Sequence, residues 1–207
     1  MPRDGRDTRT AILDSAEGLI LEQGFAGSSI EDIITRAGIT KGTFFYHFDS
    51  KADLAYALVK RFAASDRENL RETMARATAL SRDPLQQLLI FIGLMREMME
   101  GLSEPYPGCL YAAYVYEAEL FDARTLRVVG DAFQLWRDVI GPKVHDVMER
   151  YPPRRAVKPE SLADMLLTIF EGAFIASKVM DEPDLVAEQL DHFRDYIELL
   201  FAPPEPA

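Results

Sequence analysis

Between Gly38 and Lys51 the sequence reads GITKGTFFYHFDSK, which brings hydroxyl, ammonium, phenol and imidazole groups together with four aromatic rings. A helix advances about 100° per residue, so a helix starting near Lys41 would place Phe44 and Phe48 on one side. The opposite side would carry a small residue and three polar side chains, Gly42, Thr43, Tyr46 and His47. This division predicts an apolar face for packing and a polar face for contact with another molecule.

The polar face has the chemistry of a nucleic-acid contact. A recognition helix reaches base edges with its N-terminal residues, while flanking groups hold phosphates. Thr43 is short enough to touch a thymine methyl group or a base-edge acceptor. An amphipathic hairpin in a helical bundle, with Tyr46 and His47 solvated, has the same spacing, so the pattern alone leaves both interpretations open. The predicted DNA-contacting residues are Ser28, Ser29, Thr40, Lys41, Gly42, Thr43, Tyr46, His47 and Lys51.

Helical periodicity predicts the elements that position this stretch. Apolar residues recur at helical spacing from Thr8 to Gln23, and Gly24 follows as a stop signal. A short helix then starts at Ser28 or Ser29 and ends at Gly38. Two short helices joined by a glycine turn have the dimensions of a helix-turn-helix, with Thr40 placed to cap the second.

The rest of the chain is also predicted to be helical. We find no internal repeat and no alternating pattern of β-branched residues typical of a strand. The sequence therefore predicts an all-α fold. The further helices are expected at about 51–80, 84–99, 109–120, 123–150, 160–180 and 184–201.

The motif SSIEDIITRAGITKGTFFYHFDSKADL, preceded by ILDSAEGLILEQGF, resembles the DNA-binding domain of the TetR family of bacterial transcriptional regulators over roughly residues 8–55. The resemblance implies an N-terminal three-helix DNA-binding domain (1–49) and a helical effector-binding and dimerisation domain (50–201), and the final residues APPEPA predict a disordered tail (202–207). It also implies a homodimer that binds a palindromic DNA operator. Phe45 departs from the family pattern, in which a tyrosine hydroxyl at this position helps to bind the DNA backbone.

An apolar stripe in the last helix is suited to helix pairing. Small residues in the preceding helix would let a neighbouring helix approach closely. Packing within one chain and a four-helix interface between two chains both fit this pattern, and the family resemblance favours the second. The residues assigned to the dimer interface are Leu166, Ile169, Ala173, Val186, Leu190, Phe193 and Ile197.

The middle helices are rich in aromatic residues and methionine, which line apolar pockets but also form ordinary core. Because the resemblance implies an effector site, we expect a pocket for an unidentified small molecule. Cys109 precedes a predicted helix, where free amide groups would favour a thiolate, so it is a candidate electrophile or redox sensor as well as a small buried residue. The candidate pocket residues are Phe91, Met95, Cys109, Tyr111, Tyr114, Phe133, Trp136 and Phe170.

Composition limits the other function classes. The net charge is −11, and residues 1–51 hold six basic against eight acidic side chains, so the N-terminal part is not a basic domain. No nucleophile elbow, glycine-rich phosphate loop or HExxH motif is present, which argues against an enzyme. His145 and Glu149 lie one turn apart, but two ligands make an incomplete metal site. We therefore expect no cofactor and no metal.

The resemblance to the TetR family thus implies a ligand-responsive transcriptional regulator, and specifically a repressor released by its effector, because repression is the commonest mode in that family. The single cysteine and the lack of a secretory signal or long apolar run predict a cytoplasmic protein without a membrane partner. A helical protein-interaction dimer that has lost DNA binding is the alternative, as is a sensor acting through Cys109.

Overall fold

The structure, a computed structural model, describes residues 5–201. Within this range the chain forms helices and contains no strand, and no helix is long and apolar enough to cross a membrane. The predicted 202–207 tail lies outside the described residues. The helices are α1 (Gly5–Gly27), α2 (Ile30–Ala37), α3 (Lys41–His47), α4 (Lys51–Leu80), α5 (Pro84–Met99), α6 (Leu110–Tyr116), a 3₁₀ helix (Ala118–Leu120), α7 (Ala123–Arg150), α8 (Pro159–Met180) and α9 (Leu185–Phe201).

Local signals in the sequence explain most of these boundaries. The backbone of α1 is interrupted at Gly24, which has a φ of 79°. Asp83 caps α5 by accepting a hydrogen bond from the Gln86 amide. Pro84 occupies the first turn, where a backbone N–H has no acceptor within the helix, so the N–H that proline lacks is not missed. The predicted all-α fold is confirmed. The predicted 109–120 helix is instead the shorter α6 followed by the 3₁₀ helix.

The chain divides into two compact units. The first contains the residues up to Ser65 together with Cys109–Asp131, so it holds α1–α3, the first half of α4 and α6. Its core is formed by buried side chains from each of these helices, including Ile12, Ile20, Ile33, Phe44, Phe48, Leu54, Leu58, Leu110 and Tyr114. The predicted 49/50 boundary falls between the end of α3 at His47 and the start of α4 at Lys51, and the compact unit extends beyond it.

The second unit contains Asp66–Gly108 and the residues from Ala132 onward. Here α9 packs against both α5 and α8 around a continuous apolar core. An ion pair joins α5 to α9, with Arg96 Nε 2.6 Å from Asp191 Oδ2. The only tryptophan of the chain, Trp136, lies in this core and donates its indole N–H to Asp66 of α4 at 3.1 Å.

Candidate nucleic-acid interface

At the start of α2 an exposed serine hydroxyl donates a 2.6 Å hydrogen bond to the Asp32 carboxylate. Ser29 is the N-cap: its Oγ accepts a hydrogen bond from the Asp32 amide at 3.1 Å, and the Asp32 carboxylate accepts one from the Ser29 amide at 3.0 Å. This capping box fixes the first turn. The hydrogen bonds from Ser29 hold the pKa of Asp32 below its ordinary value. Ser29 is exposed and therefore accessible to a phosphate.

Ser28, the neighbouring predicted contact, is placed differently. Its side chain is fully buried, and its hydroxyl donates a 2.7 Å hydrogen bond to the carbonyl of Gly24. The Ser28 amide bonds to the Phe25 carbonyl at 3.2 Å. Ser28 therefore supports the α1–α2 turn from inside, while Ser29 faces outward.

The turn between α2 and α3 sets the position of the recognition helix. Gly38 ends α2 in the left-handed conformation with a φ of 64°, where glycine avoids the steric cost of a side chain. Thr40 then caps α3 by accepting a hydrogen bond from the Thr43 amide at 3.2 Å. The two threonine hydroxyls are 2.8 Å apart and hydrogen-bonded, which holds Thr43 at the N-terminal end of α3.

The predicted division of α3 into two faces is confirmed. Phe44 and Phe48 are buried, with ring centroids 5.9 Å apart. Tyr46 is 83% exposed and packs edge-on against His47, with centroids 5.0 Å apart. Gly42 is exposed and lies in the first turn, where it leaves room for close approach of another molecule. The burial of the two phenylalanines fixes the helix while its other face stays accessible.

The two lysines predicted to contact phosphates already have partners within the chain. The Lys41 ammonium lies 3.3 Å from a carboxylate oxygen of Glu31, and both side chains are well exposed. Lys51 is partly buried: its ammonium donates a 2.5 Å hydrogen bond to the carbonyl of Phe25 and lies 4.0 Å from the centre of that ring. Burial lowers the pKa of Lys51, while the negative charges of Glu117 and Asp32 oppose this shift.

Phe45 lies at the edge of the polar face. Its ring is 42% exposed and meets Phe44 edge-on at a centroid distance of 5.3 Å. The side chain thus reaches solvent beside Tyr46 without a group that can hydrogen-bond to a phosphate.

The residues assigned to the dimer interface require a correction. Six of the seven are buried in the core of this chain, and Ile169 packs partly buried against the same core. These six residues expose at most 4% of their surface in a single chain, so almost none is left for a second chain to cover. The apolar stripe of α9 therefore packs inside the monomer. The six buried residues are Leu166, Ala173, Val186, Leu190, Phe193 and Ile197.

The residues assigned to the effector pocket fall into two groups. Cys109, Tyr111 and Tyr114 belong to the first unit, where Tyr111 packs edge-on against Phe62 at 4.9 Å and Tyr114 donates a 2.9 Å hydrogen bond to the Ala55 carbonyl. Cys109 is half-buried at the N-cap position of α6. The other five belong to the second unit, where four are core residues and Phe133 is half-buried: Phe91, Met95, Phe133, Trp136 and Phe170.

A separate open cavity of about 400 Å³ lies between α4 and α5 in the second unit. None of the assigned pocket residues lines it. Its walls carry two carboxylates and one guanidinium, contributed by Glu72, Glu97 and Arg76. This cavity is a surface groove of mixed charge, unlike the apolar pocket that the sequence predicts.

On α7, His145, Asp146 and Glu149 are exposed and offer ligand atoms within 4.8 Å of one another. His145 Nδ1 is 3.9 Å from Glu149 Oε1, and Lys143 lies 3.6 Å from Asp146. His145, Asp146 and Glu149 lie within five positions of one helix, so their arrangement is that of a solvated helix face. The Lys143 side chain is only 14% exposed, and its ammonium also donates a hydrogen bond to Gln87 at 2.5 Å.

Sequence reasoning missed Glu117, which follows α6. Its carboxylate accepts hydrogen bonds from the amides of Phe25 and Ala26, each at 2.7 Å. The partners are separated by more than 90 positions. No local pattern around either of them signals this contact.

Comparison with known proteins identifies relatives of both the motif and the whole chain. A family model described as "Bacterial regulatory proteins, tetR family" matches residues 12–58, which include α2 and α3. The chain is 24% identical over 189 residues to the HTH-type transcriptional repressor DhaR of Mycobacterium sp. (strain GP1), covering 89% of this chain and 87% of DhaR.

Solved structures extend the similarity to the fold. The reduced form of Escherichia coli NemR matches with a TM-score of 0.74 at 19% identity, covering 97% of this chain and all of that one. A TetR transcriptional regulator from Chloroflexus aurantiacus matches with a TM-score of 0.73 at 25% identity, covering 94% and 96%. The similarity therefore includes the C-terminal helices as well as the helix-turn-helix.

Proposed function

Because this chain belongs to the TetR family of bacterial regulatory proteins, we propose that it is a cytoplasmic repressor that binds a palindromic operator as a homodimer and is released by a small-molecule effector. The repressor DhaR, similar over most of both chains, supports this mode of action. The observation that carries the proposal is the exposed polar face of α3 above the buried Phe44 and Phe48.

In this proposal, α3 enters the major groove with its N-terminal end. Gly42 lets the backbone approach the bases, and Thr43 contacts a base edge or a thymine methyl group. Thr40 and His47 extend the contact surface at either end of the helix. Tyr46 and Lys41 bind phosphates beside the groove, and Ser29 adds a contact from the N-terminus of α2, where unpaired amides favour an anion.

The proposed dimer surface is the outward face of α8 and α9. Val179 is 80% exposed and Leu199 is 65% exposed, and exposed apolar side chains grouped on one surface are typical of an interaction site. On α8 the exposed residues follow a spacing of four and three, typical of a helix that pairs with another helix. The surface consists of Met165, Thr168, Gly172, Ile175, Val179, His192, Tyr196 and Leu199.

The effector site is proposed for the core of the second unit, next to Phe91, Trp136 and Phe170. Trp136 and Phe170 meet edge-on at 5.9 Å, and the Trp136 indole bonds to Asp66 on α4. A ligand that displaced this indole would act on α4, the helix that follows the recognition helix. A shift of α4 would change the separation of the two recognition helices, so that they no longer fit successive major grooves.

Selection from a library of random duplexes tests the proposal. We expect enrichment of an inverted repeat. Its affinity should fall steeply as salt rises, because basic side chains that bind phosphates release the counterions condensed on the DNA. Tyr46→Ala should lose affinity for the enriched duplex, whereas Tyr116→Ala removes another exposed tyrosine, outside the DNA surface, and should not. Failure of the wild-type protein to enrich any duplex, after denaturing mass spectrometry has excluded a bound ligand, would contradict the proposal.

A further inference from the structure

The turn between α1 and α2 is held by a bidentate contact with Glu117. The two carboxylate oxygens of Glu117 each accept one backbone hydrogen bond, Oε1 from the Phe25 amide and Oε2 from the Ala26 amide, both at 2.7 Å. Hydrogen bonds to an ionised acceptor are shorter and stronger than neutral ones. The amides of this turn therefore already have an anion bound to them, supplied by the same chain.

Lys51 binds a backbone carbonyl of the same turn. Its ammonium donates a hydrogen bond to the Phe25 carbonyl. The backbone of Phe25 therefore donates to Glu117 through its N–H and accepts from Lys51 through its carbonyl. Burial lowers the pKa of Lys51, and the negative charge of Glu117 opposes this shift. We call Glu117, Lys51 and the backbone of Phe25 and Ala26 the turn clamp.

Gly24 has the conformation and the space that the turn clamp requires. Its φ of 79° lies in the left-handed region, which disfavours residues with a side chain. A Cβ at this position would lie 2.7 Å from Oε1 of Glu117, closer than real Cβ contacts. The carboxylate therefore occupies the volume that the missing side chain leaves open.

Glu117, the acidic residue of the turn clamp, is held in place by the packing of α6 within the first unit. Glu117 directly follows α6, whose Tyr114 is buried, stacks on Phe121 at 4.2 Å and donates a hydrogen bond to the Ala55 carbonyl of α4. The carboxylate is thus attached to a packed helix rather than to a free loop. The turn that it holds ends at Ser28, and Ser29 immediately follows as the N-cap of α2.

We propose that Glu117 is a positioning residue for DNA binding: through the turn clamp it sets the N-terminus of α2. The inference rests on the proposed function in that it assumes a DNA contact at α2 and α3. It also assigns Lys51 to the turn clamp, where its ammonium is bound to protein instead of to a phosphate.

Hydrogen exchange and DNA binding of Glu117→Gln test this inference. A glutamine keeps one acceptor oxygen but loses the charge and the second acceptor, so the amides of Phe25 and Ala26 should exchange roughly 10-fold faster, as expected for losing a charge-assisted bond. Affinity for the selected duplex should fall by about 5- to 30-fold in protein that is fully folded by thermal melting. Glu119→Gln, in the neighbouring 3₁₀ helix, makes the same charge change at an exposed position and should alter neither quantity.

The salt dependence of binding separates positioning from phosphate contact. Loss of a phosphate contact reduces the slope of log affinity against log salt by about one per site. Lys51→Gln and Glu117→Gln should both weaken binding and leave the slope unchanged. A slope reduced by about two in Lys51→Gln, one for each subunit of the dimer, would overturn the assignment of Lys51.

Two results would overturn the role of Glu117. One is unchanged exchange at Phe25 and Ala26 in Glu117→Gln, and the other is an affinity equal to that of Glu119→Gln. If the wild-type protein bound no duplex at all, the proposed function would fail. The exchange measurement would still decide whether Glu117 holds the α1–α2 turn.

Discussion

Neutralising Glu31 is expected to tighten DNA binding. In the unbound protein the Lys41 ammonium is 3.3 Å from the Glu31 carboxylate, at the edge of the proposed DNA surface. Lys41 must give up this ion pair before it can bind a phosphate, and the carboxylate itself repels the DNA backbone. Glu31→Gln removes both effects while keeping the shape of the side chain.

The magnitude follows from the exposure of the pair. Both side chains are about 70% exposed, and ion pairs of this kind contribute about 0.2–1 kcal/mol. Repulsion between a carboxylate and a phosphate about 8 Å apart in water adds roughly 0.5 kcal/mol. The sum is about 0.7–1.5 kcal/mol per half-site, or about 10- to 150-fold in affinity for a dimer on two half-sites.

The assay is a fluorescence anisotropy titration of the selected duplex at several salt concentrations. Glu31→Gln should bind more tightly, and its slope against salt should be the same as or steeper than that of the wild-type protein. Loss of an acidic residue from the first turn of α2 should cost about 0.3–1 kcal/mol of stability, visible as a lower Tm. An affinity equal to or weaker than wild type, or the same gain in Glu119→Gln, would refute the reasoning.

Three further substitutions test other parts of the account. Phe45→Tyr adds a phenol at a partly exposed position beside Tyr46 and should tighten operator binding by about 5- to 150-fold, as for one added hydrogen bond in each half-site; no gain would show that position 45 does not reach the backbone. Val179→Asp places two like charges in the proposed dimer surface and should raise the dimer Kd by at least about 100-fold in sedimentation experiments, whereas Leu80→Asp, at another exposed apolar position, should leave the dimer intact. Cys109→Ser should keep DNA affinity but abolish release by a quinone if Cys109 is a sensor, and unchanged release would reject that hypothesis.

Helix positions could be predicted well because their signals are local. Ser29, Thr40 and Gly24 act on the backbone within four residues, so a single sequence window contains both the cause and its effect. The two faces of α3 follow from the same local geometry, since the helical period alone places Phe44 and Phe48 together.

The sequence could not predict whether an apolar helix face packs within one chain or against a second chain. The stripe that includes Leu190 and Ile197 correctly indicates a buried face of α9, but burial in one chain and burial between two chains need the same side chains. The exposed face of α8 includes Thr168 and Gly172 and so gives a weaker apolar signal, although Val179 lies on it.

Contacts between distant parts of the chain were also beyond sequence reasoning. Lys51 carries a positive charge close to the recognition helix, which favours a phosphate contact on sequence grounds, but the folded chain places its ammonium on the Phe25 carbonyl. Glu117 looks like an ordinary acidic residue at the end of a short helix. Its role appears only when the chain folds and brings it to the amides of Phe25 and Ala26.

The most direct test of the central claim is to repeat the duplex selection with Thr43→Ala. The account predicts that the inverted repeat is still enriched, but that the preference at one base pair, at equivalent positions in both half-sites, is lost, because Thr43 is the side chain that α3 presents to a base edge. Thr35→Ala, on the exposed side of α2, should leave the motif unchanged. Enrichment of an unaltered motif by Thr43→Ala would contradict the claim that this face of α3 reads the operator.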